Sequence, residues 1–357
     1  MLTAALIVLG VTVAITAAAI AASLAYSVVF PRHHDVAAPD PHTQAADRDM
    51  ALRLEGHVRA VASRPHNLAY PDALDETARE IETRLIALAA HPTRHTFAVD
   101  GRDVANIEVV VEADADSRAE RETIVIGAHY DSPDDSPGAH DNGTGVAALI
   151  ELARLMRERA PGARRVRLVF FVNEEAPYGK TDAMGSLVHA RRLRADGERV
   201  VGMIALETIG YFSTRPGSQN FPFPFDHVYR DRGDFVAFVG LVGARTFTRS
   251  ALAAFRATGA FPSIGGVAPG FIAGIDMSDH WAYDQCGFPA LMVTDTAPFR
   301  NPFYHQTCDT PDTVDYMSLA RIVRGLDGMV ATLAGQPTRD RPGSASAMPV
   351  RFGIRHG

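Results

Sequence analysis

The spacing of apolar positions divides the chain into four stretches. Residues 2–30 carry no charged side chain and are dominated by Ala, Ile, Leu, Val and Thr, a run longer than the ~20 residues that a helix rising ~1.5 Å per residue needs to cross a bilayer. It predicts a transmembrane anchor over 2–30. A cleaved secretory signal is the alternative, but the run lacks a basic start and exceeds the usual apolar core of ~7–15 residues. Residues 31–48, rich in Pro, His, Ala and Asp without an apolar period, read as a linker. The stretch 49–335 has the periods of one folded domain, and 336–357, rich in Arg and Pro, reads as a flexible tail.

Within the domain, helical periods cover 50–63, 70–90, 145–159, 183–194, 245–258 and 318–333. Strand-like runs cover 94–99, 105–111, 123–128, 165–172, 200–206, 235–239 and 290–293. The alternation of the two predicts an α/β domain, a mostly parallel mixed sheet sandwiched between helices and preceded by the transmembrane helix. Past Gly210 the run Phe221-Pro-Phe-Pro-Phe225 is too irregular for an element. It reads either as a loop walling a pocket or as a packed surface insertion.

A chain of 357 residues with 46% hydrophobic and 22% charged side chains is ordinary globular material with a sizeable core available. A net charge of −7 offers no basic patch to neutralise phosphates, which argues against a nucleic-acid partner. The only two cysteines, Cys286 and Cys308, have no metal-binding spacing; a disulfide between them is open. Near the anchor, Arg32 is balanced by Asp35 and Asp40, so charge says little about orientation. The expectation is a single-pass membrane protein with its large domain outside the cytoplasm.

Polar residues that directly follow apolar strands are the candidates for chemistry, because open α/β sheets bind ligands where strands end. His129 follows the strand 124–128, Glu174-Glu175 follow 168–172, Glu207 follows 203–206, and His305 lies downstream of 291–293. Asp141 opens the turn Gly143-Thr-Gly145, where small residues allow a close approach to an ion. Asp141, Glu175 and Glu207 carry −3 against the +4 of two divalent cations, so one bridging hydroxide would complete neutrality. Imidazole and carboxylate ligands suit two Zn2+ ions. Adjacent residues cannot both aim at one ion from a regular strand. That leaves Glu174 as the general base that takes a proton from the attacking water and returns it to the leaving amine. Asp131, two residues beyond His129, is placed to accept the imidazole N–H, and Asp309 stands in the same relation to His305. Ser278-Asp279-His280 are too close in sequence to form a serine relay and read as packing or pocket lining. The pair His33-His34 reads as part of the linker.

These residues, in this order, give a chain that strongly resembles the di-zinc aminopeptidase family of metallopeptidases over about 121–315. The resemblance implies a zinc aminopeptidase/phosphorylase-like fold, two zinc ions per chain, peptide substrates and release of the N-terminal residue. It places the metal ligands at His129, Asp141, Glu175, Glu207 and His305, with Asp141 bridging, the base at Glu174 and Asp131 behind His129. It also implies that Tyr304 helps hold the developing oxyanion. Two positions depart from the family pattern: Glu207 stands where Asp is usual, and His140 where Asp or Asn is frequent. Two alternatives accompany the resemblance. One is a glutaminyl-cyclase-like aminoacyltransferase using a single zinc; the other is a binding ectodomain that has lost catalysis, as the transferrin receptor has.

Overall fold

The protein is described by a computed structural model over residues 10–16, 29–117, 122–223 and 225–336. Most of the expected anchor and nearly all of the expected tail lie outside the described residues. Residues 10–16 are helical, and no helix among the described residues is long and apolar enough to cross a membrane.

One sheet of nine strands organises the domain: β1 (Val29–His34), β2 (Thr93–Val99), β3 (Arg102–Val111), β4 (Glu122–His129), β5 (Arg165–Phe171), β6 (Arg199–Glu207), β7 (Val236–Leu241), β8 (Ser263–Ala268) and β9 (Ala290–Thr294). Their order is β1-β8-β7-β9-β6-β4-β5-β3-β2. The centre, β9-β6-β4-β5, is parallel throughout, as expected. The flanks are mixed, because β3 and β7 run against it and only β7-β8 restores a parallel pair. Sequence explains the difference. In β4 the uninterrupted run Thr123–His129 is buried on both faces, as a strand covered by helices on both sides must be. β2 and β3 instead form a hairpin in which Val99 pairs with Arg102 across Asp100-Gly101, both at positive φ (51° and 77°), the geometry of a two-residue hairpin turn.

Beyond residues 10–16, seven α-helices among the described residues complete the fold: α1 (Pro41–Val61), α2 (Pro71–Ala87), α3 (Thr144–Arg157), α4 (Gly185–Ala195), α5 (Arg245–Ala257), α6 (His280–Gln285) and α7 (Tyr316–Ala334). Alternate residues of the strands face opposite layers. Ile124, Ile126, Ile204, Leu206 and Phe238 share a core with α1, α2, α3, α5 and α7. Val125, Met203, Ala205 and Met292 share another with Ala190 and Leu193 of α4 and Tyr283 of α6. Each such fully buried aliphatic side chain stabilises the fold by roughly 1.5–3 kcal/mol.

One expectation is corrected. The linker shrinks to 35–40, because β1 covers 29–34 and pairs with β8, and because α1 begins at Pro41. The Asp40 carboxylate caps α1 by accepting the amides of His42 and Thr43 at 3.0 and 3.1 Å, and Pro41 occupies the first turn, where its missing N–H costs nothing. Also, β8 and α6 carried no expectation, the first because Gly265-Gly266 interrupts its apolar run, the second because six residues cannot show a helical period.

Candidate active site

Parallel strands place their carboxyl ends along one rim of the sheet. His129 is the last residue of β4 and Glu207 the last of β6, while Glu174 and Glu175 follow β5 after a turn at Asn173 (φ 63°). Asp141 arrives from the loop between β4 and α3, which five hydrogen bonds hold in place. The Asp309 carboxylate accepts the amides of His140 (2.9 Å) and Asp141 (3.2 Å). Asn142 donates to the Leu206 carbonyl (2.8 Å) and accepts the amides of Gly145 (3.1 Å) and Thr208 (3.2 Å), joining the loop to the end of β6. Gly145 permits this approach, since a Cβ there would stand 2.8 Å from the Leu206 carbonyl oxygen.

The five predicted ligand side chains and Glu174 converge. His129 Nε2 lies 3.2 Å from Asp141 Oδ1, 3.5 Å from Glu207 Oε2 and 4.0 Å from Glu174 Oε2. His305 Nε2 lies 2.9 Å from Asp141 Oδ2 and 3.7 Å from Glu175 Oε1. Two triads that share Asp141 result, His129–Asp141–Glu207 and Asp141–Glu175–His305, and a third group, His129–Glu174–Glu175, meets the same limit, each with its potential ligand atoms within 4.8 Å of one another. Asp141 belongs to both triads and turns one oxygen to each imidazole.

Charge in this pocket is lopsided. Burial opposes the His129 imidazolium, but Glu207, Asp131 and Asp141 outweigh it and hold the group well above the ordinary histidine range. Burial, reinforced by neighbouring carboxylates, pushes Glu174, Glu175 and Glu207 upward. Asp141 moves the other way, because the two imidazoles overcome its burial. Among the described residues no Lys or Arg pairs with any of the four carboxylates. His129 Nε2 and Asp141 Oδ1 are also buried without a hydrogen-bond partner. Buried polar atoms left unpartnered among carboxylates that no Lys or Arg neutralises are what a cation site requires.

The supporting residues behave partly as expected. Asp131 does serve His129, but mainly through its backbone carbonyl, which accepts Nδ1–H at 3.0 Å, while its carboxylate stands 3.7 Å from that nitrogen. The carboxylate is engaged elsewhere, accepting the amides of both Glu174 and Glu175 at 3.1 Å. Asp309 corrects the expectation that it orients His305: it holds the Asp141 loop instead, and burial raises its carboxyl to about 7. Tyr304 stacks on His305 with ring centres 3.9 Å apart. His140 turns away from the triads, facing Thr313 through Nε2 (3.1 Å) and stacking on Phe303. Of the Ser278-Asp279-His280 run, Ser278 donates to Glu207 Oε2 at 2.8 Å and His280 faces the Ile275 carbonyl at 2.8 Å, so no relay forms. Sequence reasoning missed Asn142 and the role of Ser278, whose only signals are their positions beside Asp141 and at the foot of α6. Cys286 and Cys308 are both free.

Carboxylate–imidazole triads that share one aspartate, set at the strand ends of a sheet with a parallel centre, form a candidate metal centre. The chain belongs to Peptidase family M28, whose profile it matches over residues 108–329. It is 40% identical over 286 residues to the uncharacterised protein YfbL of Escherichia coli K12, covering 77% of this chain and 85% of that one. It is 25% identical over 226 residues to a probable leucine aminopeptidase of Arthroderma otae, covering 59% of this chain and 54% of that protein, so it spans about half of that relative's length. Among solved structures, the LapA aminopeptidase of Legionella pneumophila shares the fold with a TM-score of 0.64 at 16% identity, over 86% of this chain and 78% of that one.

Proposed function

We propose that this chain is a zinc aminopeptidase that hydrolyses N-terminal residues from peptides. The observation that carries the reading is Asp141, whose two carboxylate oxygens face His129 and His305, each imidazole having a further carboxylate beside it. The unpartnered buried atoms His129 Nε2 and Asp141 Oδ1 fit a bound cation. One ion would be held by His129, Asp141 and Glu207, the other by Asp141, Glu175 and His305. Bound there, two zinc ions supply Lewis acidity toward the scissile carbonyl and lower the pKa of an attacking water.

The rest is done by the protein's own groups. Glu174, next to the ligand Glu175 but aimed at His129 rather than His305, takes the proton of the attacking water and delivers it to the leaving amine. Asp131 fixes the Glu174-Glu175 turn through both amides. The Tyr304 phenol, raised by burial, stays protonated and can donate to the developing oxyanion. Replacing Glu174 with Gln is expected to leave two zinc ions per chain by elemental analysis while kcat falls by ~10²–10⁴-fold. Wild-type-like turnover in that variant would sink the role. Product analysis on a Gln-initiated peptide distinguishes hydrolysis from cyclisation, the latter appearing as a pyroglutamyl product.

The apolar run 2–30 supports membrane anchoring. An anchored protein resists carbonate extraction from membranes; release into the soluble fraction at full length would reject the anchor.

A further inference from the structure

The apolar run enters the folded domain without a spacer. Residues 2–28, none of them charged, lead directly into β1, which runs antiparallel to β8 with Val29 opposite Gly266 and His34 opposite Ser263. β8 is parallel to β7, and β7 is antiparallel to β9, with Ala237 opposite Thr294 and Gly240 opposite Leu291. β1 therefore starts at the rim opposite the one that carries His129 and Glu207, beside the far ends of β7 and β8. Two segments leave the sheet there, 242–244 after β7 and 269–275 after β8. A Cβ at Gly270 would stand 3.2 Å from Leu241 Cδ2, so the two lie against each other. Neither carries a charge, for the chain has none from 235 to 244 or from 257 to 275. The second is an ordered turn, with the amides of Ile272 and Ile275 donating to the carbonyls of Pro269 (3.1 Å) and Ile272 (3.2 Å). Even so, Phe271 is 89% exposed and Val242 50%. The same rim at β4, β5 and β6 has the opposite character: Glu122 pairs with Arg164 (2.6 Å) and Arg199 (3.2 Å), and Arg165 with Glu198 (3.1 Å).

Resting on the anchoring reading, we propose that this uncharged corner of the domain touches the bilayer, with Phe271 and Val242 at the headgroup boundary. The place where the run ends identifies the partner. A segment that crosses the bilayer within 2–28 delivers the chain to Val29, which is already paired in the sheet, so the rim around it is held at the lipid surface. Exposed apolar side chains at such a place mark a membrane contact. Phe271 and Val242 leave water there at no cost in buried charge, whereas the ion pairs of the β4-β5-β6 half stay hydrated. The metal-side rim is then turned away from the lipid. The six residues of β8, at ~3.3 Å each, put about 20 Å between the two rims, which leaves the candidate metal centre open to peptides from solution.

The test uses the full chain reconstituted in phosphatidylcholine liposomes, with and without bromine on the acyl chains, in a Trp281→Phe background that removes the one native tryptophan. Phe271→Trp and Val242→Trp each place a fluorophore in the corner. Tyr70→Trp places one beyond the metal-side end of β4, where the Tyr70 hydroxyl donates to Asp135. The reporters at 271 and 242 are expected to lose at least ~half of their emission to bromine, because apolar side chains at an interface sit ~5–10 Å into the headgroup–acyl boundary, and the reporter at 70 to lose none. Emission at 271 or 242 that bromine leaves unchanged, in protein that floats with the liposomes, overturns this inference alone. A blue-shifted signal that is insensitive to bromine does so by showing that a second copy of the chain covers the corner, and equal quenching at 70 does so by showing that no rim is preferred. Protein that fails to float overturns the anchoring reading and this inference with it.

Discussion

Residue by residue, the site depends on groups that hold ligands as much as on the ligands. Ser278 illustrates this: its hydroxyl donates to Glu207 Oε2 at 2.8 Å, fixing the one ligand position where the side chain is a methylene longer than the family's usual Asp. Ser278→Ala is expected to weaken zinc binding ~10–100-fold, the common cost of losing a partner behind a ligand, while Glu175 and His305 remain undisturbed. Competition with a metallochromic chelator measures it, and two equal, unaltered zinc affinities would refute it. The candidate ligands His129, Glu175 and Glu207 were legible in the sequence because each closes or follows an apolar strand, whereas Asp141 and His305 stood out through a glycine-rich turn and the family order. Their supports were not legible. Asp309 lies four residues from His305 in the chain, yet it accepts the amides of His140 and Asp141, a partnership that only tertiary packing creates.

At the level of elements, a buried carboxylate clamps two helices together. Glu151 of α3 accepts Arg53 of α1 at 3.0 Å and Arg154 at 3.0 Å, and it stands 3.5 Å from His57 Nε2. Burial raises its pKa, but His57, Arg53 and Arg154 outweigh that and bring it down to about 2 from a model-compound value of 4.5. A folded value below the unfolded one means that the contribution is complete above about pH 4.5 and is lost as pH falls through about 2. The shift corresponds to at most about 3 kcal/mol. Glu151→Gln should therefore lower stability near neutral pH by ~2–3 kcal/mol and flatten the metal-free protein's denaturation midpoint across that acidic window. A variant whose midpoint falls with acid as steeply as the wild type's would contradict this. The clamped helices were legible from their 3.6-residue period, as were the central strands from their long apolar runs. The flanking strands β1 and β8 were not, because β8 is broken by Gly265-Gly266 and β1, Val-Phe-Pro-Arg-His-His, has no strand period.

For the molecule as a whole, the rim of the sheet gathers four acidic side chains around two imidazoles, with no Lys or Arg partner among the described residues. Bound cations should then stabilise the native state, by about 4 kcal/mol per site at a free metal concentration 1,000 times the dissociation constant. Chelation with EDTA is expected to lower Tm by several degrees in calorimetry, with zinc restoring it. An identical Tm with and without chelator would mean that the triads hold no metal.

The shared aspartate has a further consequence during synthesis. Asp141 and His305 are separated by 164 positions, so a ribosome must extrude almost the entire domain before the second triad can close. Until then the acidic rim has no complete pair of cages, and a nascent chain stalled before His305 should capture at most the ion that His129, Asp141 and Glu207 enclose.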